Sequence, residues 1–377
     1  MCRTIRSLMK VGMLGLGIII LLTLTVGCTK TTVEEGVVAC PPITVQQYWD
    51  MYGQYPTGTW NVKTADELEW FKPVALHPYR LGALVPHIKD PYWVGNAYGI
   101  WQAAKDLGIT VEFMAADGYG DMVGQSRQID DLIVKGVDGI LIASVDYAAM
   151  GPIVKSAWDK GIFVAYNQVP ADDPYAPSTE RDWHAAGWQI GAAYGDRWPV
   201  GRVIVLSGPP GVTWAEGSGR GIADALKTYP GIEVVTVRSH EMDLPKIMSL
   251  TEDLLTTYGK VDAILSYTDF GAKGIIAALR SAGYAPGEVK TSGNPVNKET
   301  VELMKEGWFT LGQSDAPCRH GASTVWLLVN MLNGSPVPHT LNLPTRIITL
   351  EDLPQVEAEL EGLEYAPAGW MPGAVLK

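Results

Sequence analysis

The chain has 377 residues, 19% of them charged, with 29 Lys and Arg against 41 Asp and Glu, for a formal charge of −12. That length suits two domains, each with its own core. An acidic chain with no clustered basic stripe is not built to neutralise phosphates, which excludes nucleic acid as a partner.

Residues 1–28 read as an export signal. Arg3, Arg6 and Lys10 form a charged head, and Val11–Val26 is an apolar run that ends at small residues before Cys28. The run is short for a membrane span. Thr25-Val26-Gly27-Cys28 resembles a bacterial lipobox, which implies a lipidated Cys28 and an extracytoplasmic, membrane-anchored lipoprotein in periplasm or at the cell surface. Plain cleavage and an uncleaved anchor are the alternatives. Removing the signal takes the charge from −12 to −15. Residues 29–78 read as a polar tether followed by an aromatic-rich extension without clean periodicity, packed on the outside of the body. Cys40 and Cys318 are the remaining cysteines, either a disulfide in an oxidising compartment or two thiols.

From Tyr79 strands and helices alternate. Strands are expected at Leu81–Val85, Ile109–Met114, Gly139–Ala143 and Ile162–Tyr166. Between the first two, Val94, Ala97, Trp101, Ala104 and Leu107 fall at helical spacing. Pro170 to Pro177 holds three prolines in eight residues and breaks the pattern. It restarts with a helix over Trp183–Trp198 and strands at Val203–Leu206, Ile232–Val237, Ala263–Ser266 and Val289–Ser292. A further helix runs to about Asn330 and a late strand covers Thr345–Leu350. Alternating β and α units imply parallel, helix-covered sheets. The reading is an α/β chain of two lobes. Residues 79–176 with 315–340 form the N-terminal lobe and residues 177–314 with 341–360 the C-terminal lobe, followed by a tail at 361–377. Hinges are expected near Pro170–Pro177, Gln313–Asp315 and Pro338–Pro344.

Three successive strands end in a carboxylate near an aromatic ring: Asp90 with Tyr92 and Trp93, Asp117 with Tyr119, and Asp146 with Tyr147. Ligands of open parallel sheets bind outside the carboxyl ends of the strands. Rings and carboxylates converging there suit a small ligand, including one carrying positive charge.

The runs Lys89-Asp90-Pro91-Tyr92-Trp93, Ala116-Asp117-Gly118-Tyr119 and Gln128-Ile129-Asp130 resemble the type I periplasmic binding proteins of the ribose-binding-like superfamily. So do Asp182-Trp183, Leu206-Ser207-Gly208-Pro209 and Gln313-Ser314-Asp315. Within that superfamily the likeness is to the trimethylamine N-oxide-binding sensor proteins. The resemblance implies two doubly wound parallel-sheet lobes joined by a hinge. It implies ligand roles for Asp90, Tyr92, Trp93, Tyr119 and Trp183, and presentation of a bound methylamine or amine oxide to a sensor histidine kinase or an ABC permease. Trp214, Tyr267, Asp269 and Asn294 fall on the second wall, and Tyr147 and Asp315 complete the candidate set. Sugar-binding relatives carry an Asp-Arg pair where this chain has Asp146-Tyr147. A sugar-type solute-binding protein is the alternative reading.

An α/β enzyme is the competing class, and its signals fail. Gly118-Tyr119-Gly120 with Gly124 misses the dinucleotide spacing, Gly217-Ser218-Gly219 lacks the full nucleophile elbow, and there is no P-loop. His77, His87, His184, His240, His320 and His339 show no metal-ligand spacing and read as surface or hinge residues. No catalytic residue, cofactor or metal is expected.

Overall fold

Short strands build the molecule, and central ones such as Gly139–Ile142, Phe163–Asn167 and Ala263–Ser266 are apolar and buried along their whole length. The computed structural model describes residues 42–52, 58–63, 65–89, 91–210 and 212–376. The expected signal, Cys28, Cys40 and Asp90 lie outside the described residues. In chain order the elements begin with α1 (Val45–Tyr52), β1 (Thr59–Asn61) and α2 (Ala65–Glu69). They continue through β2 (Arg80–Val85), α3 (Pro91–Leu107), β3 (Thr110–Ala115), α4 (Met122–Val134), β4 (Gly139–Ile142), α5 (Tyr147–Asp159), β5 (Phe163–Asn167) and β6 (Ser178–Glu180). Next come α6 (Trp183–Arg197), β7 (Val200–Leu206), α7 (Thr213–Leu226), β8 (Gly231–Arg238), α8 (Leu244–Tyr258), β9 (Ala263–Ser266), α9 (Asp269–Ser281), β10 (Lys290–Gly293) and α10 (Lys298–Lys305). The chain ends with β11 (Leu311–Ser314), α11 (Pro317–Leu332), β12 (Thr340–Asn342), β13 (Arg346–Ile348), α12 (Leu353–Leu360) and β14 (Val375–Leu376).

Two sheets result, ordered β1-β12-β6-β5-β4-β2-β3-β14 and β13-β11-β10-β9-β7-β8. Their pairings are parallel except at two edges, where β14 runs antiparallel to β3 and β13 antiparallel to β11. The lobes are therefore α/β with mixed sheets. β4 and β5 are buried along their whole length, which is why they read as unbroken apolar runs rather than alternating ones. Helix packing on the sheets is close. A Cβ on Gly99 of α3 would overlap the Cys318 carbonyl of α11, and one on Gly187 of α6 would overlap the Ser218 carbonyl of α7. Glycine at these positions lets the helix backbones touch.

Several boundaries differ from the sequence reading. β6 pairs with β5 and β12 in the first sheet, so the chain remains in the first lobe through Glu180. The first crossing is Arg181-Asp182, later than the proline-rich stretch. The second crossing follows Ser314 and the third lies between Asn342 and Arg346. The tail makes a further crossing: Leu353 and Leu360 pack in the second lobe, while Trp370 and Leu376 pack against the core of the first. The aromatic extension is not merely laid on the outside. β1 joins the first sheet through β12, and Val45, Tyr48, Val62 and Leu68 belong to its core. Trp49 stacks on Trp158 at 5.5 Å and Tyr48 meets Phe163 edge-on at 5.7 Å, so these rings do the work of packing.

Candidate functional site

The crossings converge on one buried charge. Arg181 follows β6 and is 3% exposed. Its guanidinium pairs with the Asp315 carboxylate at the second crossing. Nη2 donates to the Asp315 carbonyl at 2.9 Å and meets His320 Nε2 at 2.6 Å, and Nη1 donates to Tyr267 Oη at 3.3 Å. The guanidinium carbon lies 5.1 Å from the Trp183 ring. Arg181 thus ties the two crossing segments to Tyr267 of the second lobe. Burial and the neighbouring arginines hold His320 well below the usual histidine range. Its imidazole is neutral, and Nε2 accepts from Arg181.

The first lobe contributes Tyr92 and Gln168. Tyr92 opens α3 and its hydroxyl donates to Gln168 Oε1. Burial raises the Tyr92 pKa, while the positive charge of Arg181 opposes that shift. Gln168 directly follows β5 with φ 68°; it and Ala316 at the second crossing (φ 48°) are the non-glycine residues of positive φ among those described. Such backbone persists where its surroundings over-determine it, commonly at ligand sites. Beneath it, Asn96 and Asn167 exchange amide hydrogen bonds at 2.7 and 3.1 Å, and Thr324 donates to Asn167 at 3.3 Å. Among the described residues, three buried donors in this region have no hydrogen-bond partner: Gln168 Nε2, Arg181 Nε and, with Nε2 accepting from Arg181, His320 Nδ1. Buried polar groups are rarely left unpaired, and Gln168 Nε2 and Arg181 Nε suit ligand oxygens.

The other expected site residues divide. Trp183, Trp214 and Tyr267 gather into one aromatic wall, with Tyr267 6.3 Å from Trp183 and 6.5 Å from Trp214. Tyr92 and Trp93 meet edge-on at 5.2 Å, but Trp93 is 2% exposed and belongs to the first-lobe core. Tyr119 and Tyr147 are exposed, Tyr119 with its ring 5.6 Å from His87. Asp146 caps α5, accepting from the Ala149 amide at 2.8 Å. Asp269 is drawn into its own lobe by Lys273 at 3.1 Å and Asn297 at 2.8 Å. Asn294 is buried and donates to Gln313 at 3.3 Å. Cys318 is a buried free thiol.

Sequence reasoning missed Arg181, Gln168, His320 and Glu364. Gln168 carried a usable signal, since it sits just beyond the carboxyl end of a strand. Arg181 lies between Glu180 and Asp182, a charged run that reads as solvated surface. Glu364 is fully buried on the tail. It accepts from the Ser314 hydroxyl, the Asp315 amide at 2.9 Å and the Ala316 amide at 3.0 Å, and so clamps the second crossing. Burial pushes its pKa up to about 7.

A carboxyl whose pKa is raised on folding stabilises fully below its unfolded value and loses that contribution as pH rises through the folded one. We expect stability to fall between about pH 4.5 and about 7 by a few kcal/mol, and Glu364→Gln to flatten that slope. Urea denaturation at several pH values measures it. An unchanged slope in the variant would reassign the titration to another group.

The sequence pattern of the periplasmic binding protein domain matches residues 81–336. This chain belongs to the periplasmic binding protein family. The binding protein is 26% identical over 286 residues to the ribose import binding protein of Bacillus subtilis (strain 168), covering 74% of this chain and 92% of that relative. It is 23% identical over 309 residues to the periplasmic protein TorT of Escherichia coli (strain K12), covering 79% and 85%. A special nearness to the amine-oxide sensors is therefore not supported, because a ribose binder matches at least as well. The solved structure of a sugar ABC transport system substrate-binding protein from Bordetella parapertussis 12822 shares the fold. Its TM-score is 0.73 at 23% identity, over 81% of this binding protein and 99% of that chain.

Proposed function

We propose that this protein is an extracytoplasmic solute-binding protein that closes its two lobes on a neutral polyhydroxylated ligand of the sugar class and presents it to an ABC permease. The observation that carries this reading is the buried Arg181–Asp315 pair, set among Tyr92, Trp183 and Tyr267 at the crossings between the lobes. Sugar hydroxyls are both donors and acceptors. They can accept from Arg181 Nε and Gln168 Nε2 and donate to carboxylate oxygens. Aromatic rings cover the apolar faces of a sugar ring in the same site. A guanidinium at the centre repels a methylammonium group, which weighs against the cationic aromatic cage expected from the sequence. The ribose import binding protein among the relatives supports the same ligand class. On this reading the protein binds and releases its ligand unchanged, and it carries the lipid anchor at Cys28.

A thermal-shift panel of pentoses, hexoses, polyols, methylamines and amine oxides tests the ligand class. A ligand at 100 times its dissociation constant stabilises by about 2.7 kcal/mol. Stabilisation by one or a few sugars or polyols is expected. Stabilisation by trimethylamine N-oxide or choline alone would overturn the reading.

A further inference from the structure

A second buried carboxylate, Glu364, stands beside the Arg181–Asp315 pair and is 1% exposed. Past α12 the tail folds into a tight turn, in which the Glu364 amide donates to the Leu360 carbonyl and the Gly362 amide to the Tyr365 carbonyl, both at 2.8 Å. The turn is docked on two helices of the first lobe. The Cys318 amide of α11 donates to the Leu363 carbonyl at 3.2 Å, and a Cβ on Gly95 of α3 would come to 3.2 Å from the Glu364 carbonyl. Glu364 thus reaches the second crossing from a backbone that is itself fixed.

Its side chain takes up three donors of that crossing. The Ala316 amide donates to both carboxyl oxygens at 3.0 Å, the Asp315 amide to Oε2 at 2.9 Å and the Ser314 hydroxyl to Oε1. Ala316 has φ 48°, a conformation that costs a non-glycine residue energy and persists only where neighbouring bonds hold it. The carboxylate that meets Arg181 belongs to the middle residue of these three. The charged and titratable groups facing Glu364 are Arg181 beyond β6, Asp315 in the crossing, Cys318 and Arg319 of α11, and Tyr365 of the tail. The two arginines favour its charge, whereas burial opposes it. Burial raises the Cys318 thiol and the Tyr365 phenol further above neutrality, so neither changes charge near pH 7.

We propose that Glu364 is a positioning residue for ligand binding: it fixes the Ser314–Ala316 backbone in the geometry that sets the Asp315 carboxylate on Arg181, so the tail governs how much of the protein is competent to bind. This rests on the binding role proposed above. Apparent affinity scales with the competent fraction. An ionised carboxylate holds its donors roughly twice as strongly as a neutral acid or amide does. Affinity should therefore rise with pH through about 7 while fold stability falls, a divergence that a purely structural carboxyl would not produce. Isothermal titration at pH 6 and pH 8 tests this. The titrant is the member of the thermal-shift panel that stabilises the protein most, so a wrong ligand class overturns the sugar reading and not this one. The wild type is expected to bind about fivefold more tightly at the higher pH. Glu364→Gln should match it at the lower pH, fall about fivefold behind at the higher and show no pH dependence. Ser314→Ala, which removes one donor and keeps the carboxyl, should lose part of the gain. Urea denaturation checks that each variant is folded. A wild type with the same affinity at both pH values, or a Glu364→Gln variant that follows it at both, overturns the proposal.

Discussion

Replacing Arg181 with methionine is expected to abolish sugar binding and to lower stability by about 3–5 kcal/mol, the usual cost of leaving one partner of a buried ion pair alone. The Asp315 carboxyl would be left in a site that is 5% exposed, with the guanidinium that balances it gone. The double variant Arg181→Met/Asp315→Leu removes both charges and should regain much of that stability, because apolar replacement of a whole buried pair is often neutral. It should not regain binding. Chemical denaturation and isothermal titration separate the two effects. A double variant that binds sugar as tightly as wild type would show that the pair is structural only.

The second large effect concerns Trp93. Trp93→Ala is expected to cost about 3–5 kcal/mol of stability, the range for truncating a buried Trp or Phe. The ring is buried among the first-lobe core, and removing it opens a cavity between α3 and the sheet. The variant therefore reports on packing before it reports on ligand. Tyr92→Phe is the cleaner probe of the site. It removes one hydroxyl bonded to Gln168, so binding should weaken by about 0.5–1.5 kcal/mol with the fold retained. If Trp93→Ala unfolded at wild-type denaturant while losing ligand, the ring would face the cleft as the sequence reading held.

The first lobe shows what was legible in the sequence. β4 and β5 announce themselves as apolar runs, and α6 begins at Trp183, where the sequence reading starts that helix. The rule that ligands meet the carboxyl ends of strands led to Tyr92 and to the wall of Trp214 and Tyr267. What stayed hidden were contacts made across long stretches of chain. Arg181 finds Asp315, and Glu364 of the tail finds the Asp315 and Ala316 amides. No local periodicity encodes such pairings, and a charged residue flanked by charged residues looks solvated until the fold encloses it. Asp146 and Asp269 show the reverse situation. Both sit where a ligand carboxylate could, yet each first serves a helix, one as a cap and the other beside Lys273 and Asn297. Short polar side chains at helix starts are used this way throughout α/β proteins.

Small-angle X-ray scattering of the full chain, with and without saturating sugar from the thermal-shift panel, is the most direct measurement of lobe closure around the Arg181–Asp315 centre. The wild type should become more compact on binding, because hinge closure encloses the ligand. Arg181→Met/Asp315→Leu should keep one radius of gyration in both conditions. A wild-type radius that stays the same at saturating ligand, or a double variant that compacts equally, would contradict closure about this site.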